Sequence, residues 1–308
     1  MKRIGILVIR PGALGDTVLT EPVVASLRAA YPEARIELAG RTDFLPLLVG
    51  PGRADACRSM DGPQLTSLFS DGPVALPACD VAIAYLPDAD GALAVRLAAH
   101  AERSVVFDPR PLERGGVHIC EHLLSALKPL GVAPLRSRPQ LTALPAWIEA
   151  ARNALGGDAD CTVIHPGSGG SGKLWQAEKW AAVIAGLRPL PVVLTCGPAD
   201  AETVAELLAQ ADRTDIRVLR DCPATTLAGA LAGARLYLGC DSGVTHLAAA
   251  LGVPTVALFG PTDPRVWAPR VCAPRGEQVR VLAGGGDTAS ISAESVLAAS
   301  ADLDAGHV

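Results

Sequence analysis

Short apolar runs alternate along this chain with longer segments whose apolar positions recur every three or four residues. The first run, residues 4–9, is continuous and breaks at Arg10-Pro11-Gly12. From 16 to 30, Val18, Leu19, Val23 and Leu27 keep helical spacing, which predicts one helix stopped at Tyr31-Pro32. Residues 35–39, 81–85 and 104–107 read as further strands, with a helical stretch over 90–100. The segment 136–145, RSRPQLTALP, loses periodicity and is rich in Pro, so it reads as a connection between domains. The pattern then restarts, with strands over 161–165, 192–196, 216–219, 236–239, 255–259 and 279–282 and helices over 178–187, 200–210 and 292–301. Strands alternating with helices and bounded by Gly and Pro predict parallel, doubly wound sheets. Two such halves predict paired Rossmann-like domains, 1–145 and 146–308, with a ligand cleft between them.

Three loops in this pattern carry chemistry. In the first, Leu236-Tyr237-Leu238 runs into the polar turn Cys240-Asp241-Ser242-Gly243, then an Ala/Leu-rich helix stopped by Gly252-Val253-Pro254, then a second strand. Asp241 and Ser242 are placed to cap that helix. Its first-turn N–H groups would face the carboxyl edge of the sheet, where α/β proteins hold anions. An ordinary capped crossover helix fits the same residues. In the second loop, His165-Pro166-Gly167-Ser168-Gly169-Gly170-Ser171-Gly172-Lys173-Leu174-Trp175 follows a strand and precedes a helix. Exposed glycine N–H groups, two hydroxyls and the Lys173 charge suit a diphosphate. It is not a Walker A loop, because Leu174 stands where Ser or Thr is needed; a plain Gly-rich surface loop is the alternative. In the third, the N-terminal turn, Gly12 and Gly15 are the only glycines, so G-x-G-x-x-G is absent there. Asp16 stands at the helix start, where its charge suits the helix dipole and would repel a second anion. That leaves Asp16 as a helix cap or as a base for a neutral hydroxyl.

Composition narrows the classes. The 308 residues are 49% hydrophobic and 19% charged, enough for two cores. A formal charge of −5 argues against a nucleic-acid partner. The N-terminal apolar run is too short for a signal peptide. The longest uncharged stretch, 242–262, is cut by Gly252-Val253-Pro254, so it reads as two buried elements and not as a membrane span. Eight cysteines without a C-x-x-C read as reduced core residues of a cytosolic protein. His118-Ile119-Cys120-Glu121-His122 matches an inverted zincin signature, but without further ligands a solvated helix face explains it better. Asp88-Ala89-Asp90 and Asp158-Ala159-Asp160 match D-x-D only by chance, and Gly284-Gly285-Gly286 reads as a linker to the last helix.

RPGALGDTVLTEPVVASLRAAYP, HPGSGGSGKLWQAEKWA and CDSGVTHLAAALGVPTVALFGPTDP occur in this order over nearly the whole chain. Together they resemble glycosyltransferase family 9, the ADP-heptose:lipopolysaccharide heptosyltransferases. The resemblance implies an α/β protein of GT-B architecture, two Rossmann-like domains whose parallel sheets face each other across a cleft. The N-terminal domain would take the acceptor and the C-terminal domain the nucleotide-sugar, and the last helix can pack back on the N-terminal domain. The reaction implied is an inverting transfer of heptose, or a related sugar, from an ADP-sugar to a hydroxyl of a glycan or lipid-linked acceptor. Asp16 is then the base and Lys173 neutralises the donor diphosphate, with Ser168 and Gly169 hydrogen-bonding to it. Asp241, Ser242, Gly243, Thr245 and His246 meet phosphate and sugar, Glu202 binds the ribose, and Asp263 is a weaker candidate. No cofactor is required, and a divalent metal such as Mg is compatible with the resemblance without being predicted. The expected place is the cytoplasm, with any contact at the inner membrane peripheral and no transmembrane segment.

One feature departs from the family. An enzyme acting on the phosphorylated lipopolysaccharide core should be basic on its N-terminal face, yet residues 1–150 hold 15 Lys/Arg against 16 Asp/Glu. Arg10, Arg41 and Arg103 remain candidates for a local acceptor site, and a non-lipopolysaccharide acceptor stays open. The competing functions are a nucleotide-sugar epimerase of the same architecture, which needs no acceptor, and a non-catalytic sugar-nucleotide sensor. Asp16, Lys173 and the Gly-rich loop occurring together disfavour both.

Overall fold

Every strand pairing in the two sheets of the protein is parallel. A computed structural model describes residues 3–111, 116–157, 160–187, 189–270 and 278–305. The chain divides into two units, Met1–Pro139 and Gln140–Val308, a division that falls inside the Pro-rich segment 136–145.

The first unit contains β1 (Gly5–Ile9), α1 (Leu14–Leu19), α2 (Glu21–Ala30), β2 (Arg35–Gly40), β3 (Ala56–Ser59), α3 (Pro63–Thr66), β4 (Cys79–Tyr85), α4 (Ala92–Ala98), β5 (Ala101–Phe107) and α5 (Ile119–Ser125). Its sheet has the order β3-β2-β1-β4-β5. Leu7, Ile9, Ala82 and Ala84 from the central strands pack against Leu65, Leu68, Leu93 and Leu97. The single helix expected over 16–30 is two helices. Pro22 has no N–H to give the carbonyl four residues back, and its ring crowds that carbonyl. The Thr20 N–H accordingly turns to Thr17 O at 3.1 Å, and the chain restarts at Glu21. β3 and α3 escape the sequence pattern because each is only four residues long.

The second unit contains α6 (Pro145–Leu155), β6 (Thr162–His165), α7 (Ala177–Gly186), β7 (Val192–Cys196), α8 (Ala201–Gln210), β8 (Arg217–Arg220), α9 (Ala224–Ala232), β9 (Leu236–Cys240), α10 (Gly243–Ala250), β10 (Thr255–Phe259), α11 (Pro264–Trp267), β11 (Val279–Ala283) and α12 (Ala293–Ala305). The sheet order is β11-β10-β9-β6-β7-β8. All residues of β6, β7, β9 and β10 are buried, which is why their sequences are apolar without alternation. The closing helix α12 places Val296, Ala299 and Leu303 in the core of this same unit.

Besides the four-residue α11, the sequence pattern missed α6 and α9 in this unit. α6 starts at a proline, ends at Gly156 in the left-handed conformation, and buries Trp147, Ala151 and Leu155 on one stripe. α9 is built from small residues and is buried on most sides, so it shows little amphipathic contrast. The two pack together at Gly229, where a Cβ would fall 2.0 Å from Trp147 O. The buried Cys161 and Cys240 behave as core residues and Cys79 is half-buried; burial pushes the Cys161 and Cys79 thiols up to about 11 and Cys240 to about 12. Cys272 lies outside the described residues. Among the described residues no helix is long and apolar enough to cross a membrane.

Gly229→Ala should therefore destabilise the second unit by about 1–3 kcal/mol through overpacking. All four tryptophans (147, 175, 180 and 267) lie in this unit, so thermal melting followed by their fluorescence reports it directly. An unchanged midpoint would refute the close contact.

Candidate active site

In the second unit the chain begins its sheet at β6, adds β7 and β8 on one side, then returns to add β9, β10 and β11 on the other. The connections diverge between β6 and β9, the place where open parallel sheets hold ligands. The Gly-rich loop leaves β6 and Asp241 leaves β9, so the two segments are brought side by side. Lys173 Nζ lies 2.7 Å from Asp241 Oδ2, and Thr262 Oγ1, arriving from the end of β10, donates to the same oxygen at 2.6 Å. Ser168 Oγ donates to Asp241 O at 2.9 Å and ties the Gly-rich loop to the same turn. The Asp241 side chain is only 8% exposed and Lys173 31%. A carboxylate so far from water has to be paired and hydrogen-bonded. Gly167 to Gly172 does show G-x-G-x-x-G spacing. It leads into a single 3-10 turn, Ser171–Lys173, and α7 opens only at Ala177. The dinucleotide fingerprint instead opens its helix directly.

α10 is capped by a neutral group. Ser242 Oγ accepts the Thr245 N–H, and the first turn carries no acid. The Thr245 hydroxyl is buried, donating to Cys240 O and meeting Tyr237 OH at 3.0 Å, so what Thr245 offers outward is not its side chain. His246 is buried in the next turn. The first-turn N–H groups, Gly243 and Val244 among them, lack intrahelical acceptors by construction. The positive pole at this end is therefore uncompensated by the helix itself. Glu202 is exposed in the first turn of α8, one strand further along the edge. Gly169 lies in open space on the Gly-rich loop. Asp263 is occupied with capping α11 and bonding Arg265.

A buried network beneath this edge was not foreseen. His165 Nδ1 meets Thr195 Oγ1 at 2.9 Å. Asp200 Oδ2 accepts the Gly197 N–H at 2.9 Å, and a Cβ on Gly167 would lie 1.9 Å from Asp200 Oδ1. Asp200 thus fixes the turn after β7 against the start of the Gly-rich loop. Burial pushes the His165 pKa down, against the opposing pull of Asp200. Thr262 was also missed. The sequence signal for it was its place just past a strand end, adjacent in the sheet to β9.

In the first unit β1 lies between β2 and β4, and the chain's direction of growth reverses there. Asp16 follows β1 at this point, with a side chain 38% exposed. One oxygen accepts from Arg10 Nη2 at 2.6 Å and the other from the Ala13 N–H at 2.9 Å. Arg41 is exposed and pairs with Asp43 at 3.3 Å. Arg103 is not brought to this edge. It reaches Tyr31 OH and Leu130 O, beside the end of α2. His118 is buried and not solvated; it caps α5 by accepting the Cys120 N–H, while His122 reaches Asp108 O. Asp88 accepts from Leu93 N and Ala94 N at the start of α4, a structural role for that D-x-D. Asp158 and Ala159 lie outside the described residues. Gly285 and Gly286 adopt positive φ in the turn before α12.

Each of the two parallel α/β units gathers polar residues where its strand order reverses, the place where open α/β sheets take a ligand. The model of glycosyltransferase family 9 (heptosyltransferase) matches residues 99–289. The chain is 30% identical over 291 residues to lipopolysaccharide heptosyltransferase 3 of Escherichia coli K12, covering 83% of this chain and 82% of that protein. Its fold is similar to that of E. coli ADP-heptose lps heptosyltransferase II, with a TM-score of 0.79 at 23% identity and 99% coverage of both chains. It is also similar to a family 9 glycosyl transferase of Veillonella parvula, with a TM-score of 0.78 at 23% identity, covering 98% of this chain and 97% of that one. The protein belongs to glycosyltransferase family 9 and is a glycosyltransferase of GT-B architecture.

The buried His165 sets a pH dependence. Its folded pKa is depressed below the ordinary 6.5, so the unfolded chain binds the extra proton first as pH falls. Stability of the second unit should be flat above about pH 7 and decline as pH drops through about 6.5. Tryptophan-monitored melting from pH 8 to 5 checks this, and His165→Gln should flatten the profile. An equally steep acid-side decline in that variant would remove His165 as the cause.

Proposed function

We propose that the protein transfers heptose, or a closely related sugar, from an ADP-sugar to a hydroxyl of a glycan acceptor with inversion at the anomeric carbon. The observation that carries the proposal is the meeting, at the β6/β9 reversal, of the Lys173 loop with the neutrally capped N-terminus of α10. A cation, glycine N–H groups and a helix N-terminus together suit a diphosphate. The sugar and the base come from the relatives' names. In this proposal Lys173 exchanges its Asp241 partner for the diphosphate, helped by Ser168 and Gly169. Asp241 is then released to accept sugar hydroxyls beside Ser242, Gly243, Thr245 and His246, and Glu202 binds the ribose. As the sugar–phosphate bond breaks, Lys173 and the α10 dipole stabilise the negative charge leaving with ADP. Asp16 accepts the proton of the attacking hydroxyl. A lipid-linked acceptor would bring the enzyme to the cytoplasmic face of the inner membrane peripherally.

The first unit favours an uncharged acceptor over a phosphorylated core. Among the described residues its cations at the strand ends are matched by its own acids: Arg10 by Asp16, Arg41 by Asp43 and Arg110 by Asp108. The helices starting there carry acids as well, Asp16 in α1 and Glu121 in α5, while Asp88 is bonded to the N-terminus of α4. These carboxylates occupy the positions an anion would seek.

Asp16→Ala should abolish transfer, by about 1,000-fold or more, while calorimetry finds donor affinity within about twofold of the parent. Loss of donor binding in that variant would sink the assignment of Asp16 to the acceptor side. A calorimetric panel of ADP-, UDP-, GDP- and dTDP-sugars should select the ADP-sugar; preference for another base would overturn the donor. With the natural acceptor, kcat/KM should change little between about 50 and 200 mM salt. A steep fall would indicate an anionic acceptor and refute the second reading.

A further inference from the structure

We infer that Arg10 is the positioning residue for the Asp16 carboxylate and not a contact for the acceptor. This rests on Asp16 serving as the base, as proposed above. Arg10 is 7% exposed as a residue, and its guanidinium lies 6.0 Å from the ring centroid of the fully buried Tyr85. Tyr85 is itself anchored by its hydroxyl, which donates to Leu123 O at 2.8 Å. The Arg10 backbone is equally constrained. Its N–H donates to Ala39 O at 2.8 Å, and its carbonyl oxygen lies 2.4 Å from where a Cβ on Gly40 would be. From this fixed base Nη2 reaches Asp16 Oδ1 at 2.6 Å. The other oxygen is held by the Ala13 N–H, and Gly12, at φ +143°, leaves the space the carboxylate fills: a Cβ there would fall 2.4 Å from Asp16 Oδ2. The carboxylate is thus held from three directions.

Stability alone does not account for an arginine at this position. Its Nε is buried without a hydrogen-bond partner among the described residues, and an unpaired buried donor costs free energy. Burying a guanidinium against a half-exposed acid also recovers little of its desolvation cost. An apolar side chain would fill the space over Tyr85 without either penalty. The guanidinium does contribute where it touches Asp16. It fixes the rotamer, so that the free lone pairs of a half-exposed carboxylate keep one direction, and a proton acceptor held in place needs no reorganisation when the hydroxyl attacks. Burial depresses the arginine's own pKa and Asp16 opposes that. The neighbouring charged groups on the same edge, Arg41 and Asp43, pair with each other.

Steady-state kinetics of Arg10→Gln, Arg10→Lys, Gly12→Ala and Asp16→Asn, together with donor calorimetry and thermal melts, tests this. Arg10→Gln should lower kcat about 100-fold with acceptor KM and donor Kd each moved less than about threefold, and Arg10→Lys should recover at least about a tenth of the parent kcat. Gly12→Ala, which displaces the carboxylate while leaving the Arg10 side chain and the core over Tyr85 unaltered, should show the same kcat-selective loss and keeps the test open if Arg10→Gln does not fold. A raised acceptor KM with kcat retained in Arg10→Gln would make Arg10 an acceptor contact and overturn the inference. So would a kcat within about threefold of the parent in Arg10→Gln or Gly12→Ala, or equal losses in the Gln and Lys variants. Asp16→Asn separates the two levels. If it stays active, the base assignment itself fails; if it is inactive while Arg10→Gln and Gly12→Ala are active, only the positioning role fails.

Discussion

An all-parallel sheet ends all its strands at one edge, and its chain can reverse its direction of growth at only one place along that edge. This constraint organises both units. In the second unit it puts β6 beside β9 although residues 166–235 separate them in sequence. Lys173 and Asp241 can form their 2.7 Å pair only because of that adjacency. In the first it puts Asp16 at the end of β1, next to β4. The residues to which chemistry is assigned follow strands flanking a reversal or, for Thr262 and Glu202, the next strand out.

The helix starts at the two edges differ in charge. α1 begins with a carboxylate whose oxygen accepts the Ala13 N–H, so its positive pole is already engaged. α10 begins with a serine hydroxyl and no acid in its first turn. The nearest acid, Asp241, is drawn inward by Thr262 and Lys173. A buried carboxylate in this position costs desolvation, and the pairs that offset it are the same groups that suit a phosphate and a sugar. In the proposed reaction Lys173 leaves this pair for the donor diphosphate.

Much of this was legible in the sequence where local signals and tertiary position agree. Fully buried strands such as β7 and β10 announce themselves as unbroken apolar runs, and Gly or Pro marks their ends. The three loops singled out in the sequence do follow strands, and two of them meet through Lys173 and Asp241. What stayed hidden depends on contacts distant in sequence. α9 is buried on too many sides to show a stripe, and β3 is too short to show a period. The break at Thr20 turns on one proline within an otherwise helical pattern. From the sequence Arg10 reads as a candidate acceptor contact, because nothing local reports that Tyr85 lies beneath it. The Asp200 contact with Gly167 joins two loops that only the sheet order brings together.

The roles proposed for Lys173 and α10 turn on where the donor diphosphate sits. A crystal structure of the protein with an unreactive ADP-heptose analogue measures this without reference to turnover. Diphosphate oxygens are expected within hydrogen-bond distance of Lys173 Nζ and of the first-turn N–H groups of α10, with Lys173 moved off Asp241. A diphosphate bound elsewhere on the edge, with Lys173 still 2.7 Å from Asp241, would contradict these roles.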